Sequence, residues 1–329
     1  MDFNLIWFIL ITVLFTGFFL LEGFDYGVGM LLACRNEKER SQFIRAIGPV
    51  WDGNEVWMIT AGGAAFAAFP HFYATMFSTF YLALFLMLMA LIMRGVAFEL
   101  RGKFQNSDWK KFWDYSIIFG SFVPALLWGV AFANLLRGVA IDPQMHFVGR
   151  FFDLLSPYAI LTGIFFVLLF LLHGLNFLQL KLADEGILNE LNKKARPLGF
   201  LTCVFYLLFI IATVYETDVM NYTSGVIPFA IALGVLSNVI RPNSSGSYLF
   251  YCTTMAIVIN TIGWFVALFP RLMVSSLNPE WSLTIYNAAS TPSTLMIMTV
   301  AAVIFVPIVL FYQFHTYKIF KERIKPSDV

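Results

Sequence analysis

Charged residues are scarce in this sequence. Asp, Glu, Lys and Arg make up 12% of its 329 residues, whereas apolar residues make up 59%, and the mean hydropathy is +0.77. These values lie outside the range of soluble globular domains and indicate a polytopic membrane protein. The net charge is only +1, so the composition predicts no broad basic surface for nucleic acid.

Residues that could bind a metal or a haem are also few. Cys34, Cys203 and Cys252 lie far apart and form no CxxC or CxxCH pattern, which argues against a zinc site or a covalently attached haem. Of the four histidines, His173 lies well inside an apolar segment, and such a histidine more often bonds a neighbouring helix than a haem. We therefore expect this chain to bind no cofactor by itself.

Nine apolar segments are long enough, or nearly so, to cross about 30 Å of hydrocarbon at roughly 1.5 Å per residue. They predict an all-α membrane protein in which residues 1–329 form a single integral membrane domain. The first segment has no basic region before it, so we expect a span rather than a cleaved signal peptide. The seventh segment is short and contains Pro228. The predicted spans lie near 5–33, 50–69, 73–98, 114–137, 156–181, 197–216, 225–240, 248–270 and 293–319.

Basic residues are distributed unevenly between the predicted loops. Of the 21 Lys and Arg residues, 17 lie in or beside the loops after spans 1, 3, 5 and 7 or in the C-terminal tail. Arg94 lies within span 3, and the opposite side has only Arg137, Arg150 and Arg271. The positive-inside rule then predicts a membrane protein with its N-terminus outside and its C-terminus in the cytoplasm.

Acidic residues lie in the interior of only two predicted spans. Glu22 and Asp25 are in span 1, and Asp52 and Glu55 are in span 2, with an i,i+3 spacing that puts each pair on one helix face. Counted from the cytoplasmic ends, Asp52 is near the surface, Glu55 about 4.5 Å deeper, Asp25 about 12 Å in and Glu22 about 16 Å in. Because ionisable groups are costly in hydrocarbon, this series predicts a functional site and resembles a proton path from the cytoplasm.

Each of these residues also has a structural interpretation. Asp52 is near a helix N-terminus, where the helix dipole and free N–H groups favour a carboxylate. Arg94 lies at a similar depth to Glu55, so a structural ion pair is at least as well supported there as proton transfer. Contact with a single arginine or with a backbone group would explain Glu22. Asp25 has no cation nearby in the sequence and is the strongest candidate for a functional role.

Small residues are concentrated in spans 1 and 2. Gly23 and Gly27 have the GxxxG spacing that lets membrane helices approach closely, and span 2 is rich in Gly and Ala over 61–68. Ordinary helix packing is the favoured interpretation of both patterns. We expect spans 1 and 2, which are joined by a short loop, to pack antiparallel and closely.

Several motifs resemble those of subunit II of the cytochrome bd-type quinol oxidases. The most specific is WDGN[EQ]VW, which occurs as WDGNEVW at 51–57 and is followed by ITAGGA at 59–64. The segment EGFDYGVG at 22–29 is similar to the GFDxGVG of the family's first span. The motifs occur in order along most of the chain, except over roughly 184–250. Further matches are GSFVP at 120–124, GVAFANLL at 129–136 and VPI at 306–308.

The resemblance implies a fold and a set of partners. The family fold has nine helices, arranged as two four-helix bundles plus one peripheral helix. The implied complex is a heterodimer whose larger subunit I carries two b-type haems, one d-type haem and the quinol site, while the present subunit carries no haem. Membrane lipids and small single-span accessory subunits are further implied partners, whereas nucleic acid is not.

The resemblance also implies roles for individual residues. Asp25 and Asp52 match acidic residues implicated in proton uptake from the cytoplasm toward the oxygen-reducing haem. Glu55 stands where some relatives have Gln, so the resemblance implies no obligatory role for its carboxylate. Trp57 matches a position near a structural quinone in some relatives.

A proton-coupled secondary transporter is the alternative interpretation. It predicts inverted repeats and helices broken at mid-membrane, for which Pro228 and Pro307 are the candidates. Neither feature is clear in the sequence, so the motifs favour the oxidase subunit.

Overall fold

α-Helices make up nearly all of the regular structure. The computed structural model describes residues 1–219, 225–242 and 244–328. This part of the chain contains eleven α-helices and one two-stranded antiparallel sheet. The helices are α1 (Phe3–Leu31), α2 (Glu37–Ile47), α3 (Trp51–Ala68), α4 (Pro70–Thr79), α5 (Tyr81–Leu100), α6 (Ser107–Arg137), α7 (Pro157–Lys181), α8 (Glu185–Glu216), α9 (Ile227–Leu236), α10 (Gly246–Leu268) and α11 (Pro292–Ile319), and the strands are β1 (Arg271–Met273) and β2 (Leu283–Thr284).

Among the described residues, seven helices are long and apolar enough to cross a membrane, namely α1, α5, α6, α7, α8, α10 and α11. The prediction of an all-helical membrane protein is therefore confirmed. Two other predicted spans correspond to shorter helices: α3 has 18 residues, and α9 with its 3-10 extension covers Ile227–Ile240. The predicted span near 73–98 is divided between α4 and α5. A total of nine crossings stays a prediction.

Some helices begin well before the predicted spans. α6 begins at Ser107 and α8 at Glu185, whereas the apolar segments begin near 114 and 197. Apolarity marks only the part of a helix that suits hydrocarbon, and polar caps start these two helices further out. The side chains of Asn106 and Asp184 accept hydrogen bonds from backbone N–H groups of the first turns.

Helix α1 is central to the packing and contacts α3, α6, α7 and α10. Gly27 lies against Gly174 of α7, where a Cβ added to Gly27 would be 2.8 Å from the Gly174 Cα. Gly23 faces the same helix. The GxxxG pair therefore brings α1 against α7, and not against α3 as the sequence suggested. α1 and α3 do pack together, with Trp57 of α3 covering Gly17 of α1.

The long helices pack in a continuous series. Helix α1 contacts α3 and α6, and α5 contacts α6; α1 and α6 also contact α7, which contacts α8 and α10, and α9 contacts α10. Helix α11 contacts α1 and α3, and Leu295 is its one buried residue. The arrangement in two four-helix bundles plus a peripheral helix remains a prediction.

Two loops form an ordered cap at the end of the molecule that is predicted to be outside. The backbone N–H of Val139 donates to the carbonyl of Val274 at 3.0 Å, and the N–H of Ser276 donates to Val139 at 2.9 Å. The Ser275 hydroxyl donates to the carbonyl of Ile141 at 2.9 Å. These bonds join the chain after α6 to the chain after α10, next to β1 and β2.

Ion pairs attach α2 at the opposite end. The buried carboxylate of Asp114 accepts hydrogen bonds from Arg40 of α2 at 3.0 Å and from Arg101 at 2.5 Å. On the surface, Lys110 donates to Glu37 at 2.6 Å, and this hydrogen bond lowers the pKa of Glu37. The connection between α1 and α3 is thus attached to α6 by ion pairs.

Candidate functional site

Two of the four predicted acids, Glu22 and Glu55, bond one arginine, and Asp25 lies next to Glu22. Glu22 and Asp25 of α1 are fully buried, and Glu55 of α3 is half-buried. Arg94 of α5 donates through Nη1 to Glu22 Oε1 and, at 2.7 Å, to Glu55 Oε1. The structure thus brings Arg94 to both glutamates. It supplies the arginine contact that the structural interpretation of Glu22 requires.

The guanidinium of Arg94 is held in a fully buried position. Its central carbon lies 4.9 Å from the centre of the Tyr26 ring and 5.4 Å from that of Phe98, which are cation–π distances. Gly120 of α6 allows the approach, because a Cβ there would lie 2.5 Å from the Arg94 Cβ. Glu22 and Glu55 share this one guanidinium, so a proton bound to either carboxyl removes a negative charge that Arg94 does not balance.

Asn54 connects Asp25 to helix α11. The Asn54 Nδ2 donates to Asp25 Oδ2 at 2.6 Å. The Asn54 Oδ1 accepts from the hydroxyl of Tyr317 at 2.8 Å and from Nε2 of Gln313 at 3.3 Å. Gln313 Oε1 in turn accepts from the indole N–H of Trp57 at 2.7 Å. A continuous chain of hydrogen bonds therefore links Trp57 to Asp25 across α3, α11 and α1.

Asn54, Gln313 and Tyr317 are absent from the sequence-based predictions. Asn54 lies inside the WDGNEVW motif, but an amide does not titrate and gives no signal in a search for acids. Gln313 and Tyr317 are four residues apart near the end of a helix that is apolar over most of its length, a spacing that puts both on one face. This polar pair on an apolar helix is the signal that could have identified them.

Asp52 lies apart from the cluster. It is exposed in the first turn of α3, and it is Asn54 that contacts Asp25. The predicted separation in depth between Asp25 and span 2 is too large, because Asp25 directly contacts Asn54, one residue before Glu55. The order of the four acids in depth stays a prediction. The count from the sequence assumed that spans 1 and 2 end at the same height. In the structure, a 3-10 turn and α2 separate the two helices.

His173 connects α7 to two other helices. Its Nδ1 lies 2.8 Å from the Thr253 hydroxyl and its Nε2 lies 3.1 Å from the Leu20 carbonyl oxygen. Because a carbonyl can only accept, Nε2 carries the proton and Nδ1 accepts from Thr253. The expectation that His173 bonds neighbouring helices is confirmed. Among the residues described, no group of three or more His, Cys, Asp or Glu side chains is arranged to hold a metal ion.

The chain matches one protein family over nearly its whole length. The model of this family, cytochrome bd terminal oxidase subunit II, aligns with residues 3–320. The chain belongs to this family. The motif resemblance at 22–29 and 51–57 is thereby confirmed, and the acid cluster lies within the two segments that carry it.

Relatives of this oxidase subunit match along their full length. The cytochrome bd ubiquinol oxidase subunit 2 of Bacillus subtilis is 40% identical over 329 residues, which cover 98% of this chain and 97% of the relative. The cytochrome bd-I ubiquinol oxidase subunit 2 of Escherichia coli K12 is 36% identical over 365 residues, with coverages of 98% and 96%. The solved structure of a bd oxidase from Geobacillus thermodenitrificans has the same fold, with a TM-score of 0.76, 15% identity and coverages of 97% and 99%.

The transporter interpretation gains no support from these matches to bd oxidase subunits. Of its two candidate helix breaks, Pro228 lies in the first turn of α9, where proline is well tolerated, and only Pro307 lies inside a helix.

Proposed function

We propose that this chain is subunit II of a cytochrome bd-type quinol oxidase, in which quinol oxidation is coupled to reduction of dioxygen to water in aerobic respiration. The full-length match to the family carries this proposal. The subunit acts with a larger oxidase subunit and is not catalytic alone. A tagged chain should co-purify with that partner, and membranes should lose quinol-dependent oxygen consumption when the chain is deleted.

The haems belong to the partner. Subunit I carries two b-type haems and one d-type haem, whereas the present chain binds none. In support, both ring nitrogens of His173 are engaged by Thr253 and Leu20. The purified chain alone should show no haem absorption, and the complex should show haem bands. A haem spectrum in the isolated chain that is lost in His173→Ala would contradict this assignment.

The chain crosses a bacterial cell membrane nine times, with its N-terminus outside and its C-terminus in the cytoplasm. The seven long helices, α3 and the apolar helix Ile227–Ile240 supply the nine crossings. The uneven distribution of Lys and Arg supports the orientation. The exposed helix α11 offers a surface to lipids or to a small single-span accessory subunit. A structural quinone beside the half-buried Trp57 also stays a prediction from the resemblance.

The buried carboxyl cluster contributes a proton-uptake path from the cytoplasm. Asp52 admits protons, Asp25 passes them inward, and Glu22 and Glu55 assist. The exposure of Asp52 and the complete burial of Asp25 support this order. The shared guanidinium of Arg94 supports it too, because proton binding to this cluster reduces its uncompensated negative charge. Reduction of dioxygen consumes protons, and uptake from the cytoplasm lets turnover contribute to the proton-motive force.

Asp25→Asn tests the path, since the amide keeps the shape of the carboxyl but cannot titrate. Assembly and haem content should stay near normal, while turnover per haem falls about tenfold or more, the scale of a lost proton-transfer group. The loss should be larger at high pH, where protons are scarce. Turnover per haem measured against pH gives the result, and Asp52→Asn should show a smaller loss, because water reaches that position.

Asp108→Asn is the matched control, because Asp108 is an exposed acid near the same end of the molecule. It should reproduce the wild-type pH profile. If Asp25→Asn also has the wild-type profile, Asp25 is not part of a proton path. If it instead lowers haem occupancy while turnover per remaining haem is unchanged, the carboxylate is structural.

A further inference from the structure

The chain of hydrogen bonds from Trp57 to Asp25 has a direction. An indole N–H can only donate, so the Gln313 atom that Trp57 contacts at 2.7 Å is the amide oxygen. The amide nitrogen of Gln313 then faces Asn54 and requires an acceptor there, which is the Asn54 oxygen at 3.3 Å. Asn54 consequently turns its own amide nitrogen toward Asp25 Oδ2, 2.6 Å away. This direction follows from the donor-only chemistry of Trp57.

We propose that Trp57 is a positioning residue, which keeps Asp25 Oδ2 an acceptor and confines any proton on Asp25 to Oδ1. A proton on Oδ2 would face the amide protons of Asn54, so that position is disfavoured. Oδ1 is buried and accepts no hydrogen bond from an amide, hydroxyl or guanidinium group of the described residues, while the Glu22 carboxyl lies within hydrogen-bond reach of Asp25. It is therefore the oxygen through which Asp25 exchanges protons. This inference rests on the proposed proton-carrying role of Asp25.

Trp57 determines the direction, whereas Tyr317 does not. The Tyr317 hydroxyl lies 2.8 Å from Asn54 Oδ1, but a hydroxyl can donate or accept and would tolerate either orientation of the amide. The position of the indole is itself fixed by packing. A Cβ on Gly17 would lie 2.9 Å from the Trp57 Cδ2, so the glycine lets the ring lie against α1.

Trp57→Phe tests the inference in the assembled oxidase complex. Without the indole N–H, the Gln313 amide can turn, Asn54 can present its oxygen, and a protonated Asp25 can place its proton on Oδ2. The carbonyl oxygen of the acid is then Oδ1, which lacks the hydrogen bond from the Asn54 amide that Oδ2 accepts. Infrared difference spectra should show a second carbonyl band for protonated Asp25 at higher frequency. Asp25→Asn identifies the bands, because both must disappear.

Turnover should respond as well. When the proton can occupy either oxygen of Asp25, it is on Oδ1 less often. Turnover per haem should therefore fall roughly two- to fivefold, the population shift that one net hydrogen bond produces. Trp7→Phe is the matched control: Trp7 also donates its indole N–H to α11, to the Leu295 carbonyl and the Thr299 hydroxyl at 3.1 Å, but far along the helix from Gln313. This control should keep the single band and the wild-type turnover.

Two further variants test whether Trp57 directs the amide groups. Tyr317→Phe should retain a single Asp25 band, because Trp57 still directs the amides. If Trp57→Phe does not assemble, Gln313→Leu removes the same link from a half-buried position and should give the second band. Three results would overturn the inference. One is a single unshifted band in the variant that assembles, another is a second band in Trp7→Phe, and the third is the absence of an Asp25 band at any pH.

The outcome is distinguishable from failure of the proposed proton path. A wild-type pH profile in Asp25→Asn refutes the path and leaves the infrared comparison of Trp57→Phe still informative about proton position. A perturbed profile in Asp25→Asn combined with one unshifted band in Trp57→Phe refutes only the positioning role.

Discussion

At the scale of single residues, Arg94 donates hydrogen bonds to two carboxylates. We therefore expect substitution of Arg94 to lower the yield of the complex more than substitution of either acid. In Arg94→Met, the buried Glu22 loses its cation, which typically costs about 3–5 kcal/mol. We expect a strongly reduced yield of the haem-containing complex. Glu55→Gln should be mild, because Glu55 is half-buried and the amide can still accept from Arg94. Size-exclusion chromatography with haem quantification measures both effects.

Two further variants test this prediction. Lys111→Met removes an exposed cation and should leave the yield unchanged. Arg94→Met combined with Glu22→Gln removes both charges of the buried pair and should recover part of the yield. A normal yield in Arg94→Met alone would show that the carboxyl cluster does not depend on its cation.

Close backbone contact between α1 and α7 is the main constraint at the scale of helices. A Cβ on Gly27 would meet the Phe170 carbonyl and the Gly174 Cα, and neither can move without shifting α7. Gly27→Ala should therefore destabilise the complex by about 1–3 kcal/mol, the typical cost of overpacking. The midpoint of thermal dissociation of the complex, followed in detergent, should fall.

Gly234→Ala is the matched control, because a Cβ there meets no atom within 4 Å and Gly234 also lies in a helix. Alanine favours helix by up to about 1 kcal/mol relative to glycine, so this variant should be neutral or slightly more stable. Equal midpoints for Gly27→Ala and Gly234→Ala would show that the α1–α7 contact is not constrained by its glycines.

Orientation in the membrane is the testable property of the whole molecule. Gln144 lies in the loop after α6 and Lys193 lies near the start of α8, and both side chains are exposed. Single cysteines at these positions, in a chain without its native cysteines, should react with a membrane-impermeant reagent from opposite sides. Gln144→Cys should react from outside and Lys193→Cys only after the membrane is opened. Labelling of both from the same side would contradict the proposed topology.

The sequence by itself determined the class of this protein and much of its helical framework. Its apolar content and the length of its apolar runs required membrane helices, because only helices or closed barrels satisfy the backbone in hydrocarbon. It also located Glu22, Asp25 and Glu55 as unusual, since an acid in an apolar run stands out without any knowledge of the fold. The motif at 51–57 was sufficient to indicate the family.

Only the tertiary structure decided which partners these acids have. Arg94 lies 72 residues from Glu22, and Gln313 lies 259 residues from Asn54, so local periodicity carries no information on either contact. A 3-10 turn and α2 separate α1 from α3, so counting residues along each span could not give the distance between Asp25 and Asn54, which are hydrogen-bonded. The direction of the hydrogen bonds reaching Asp25 arises only once α11 packs beside α3, because that contact places the donor-only indole of Trp57 against Gln313.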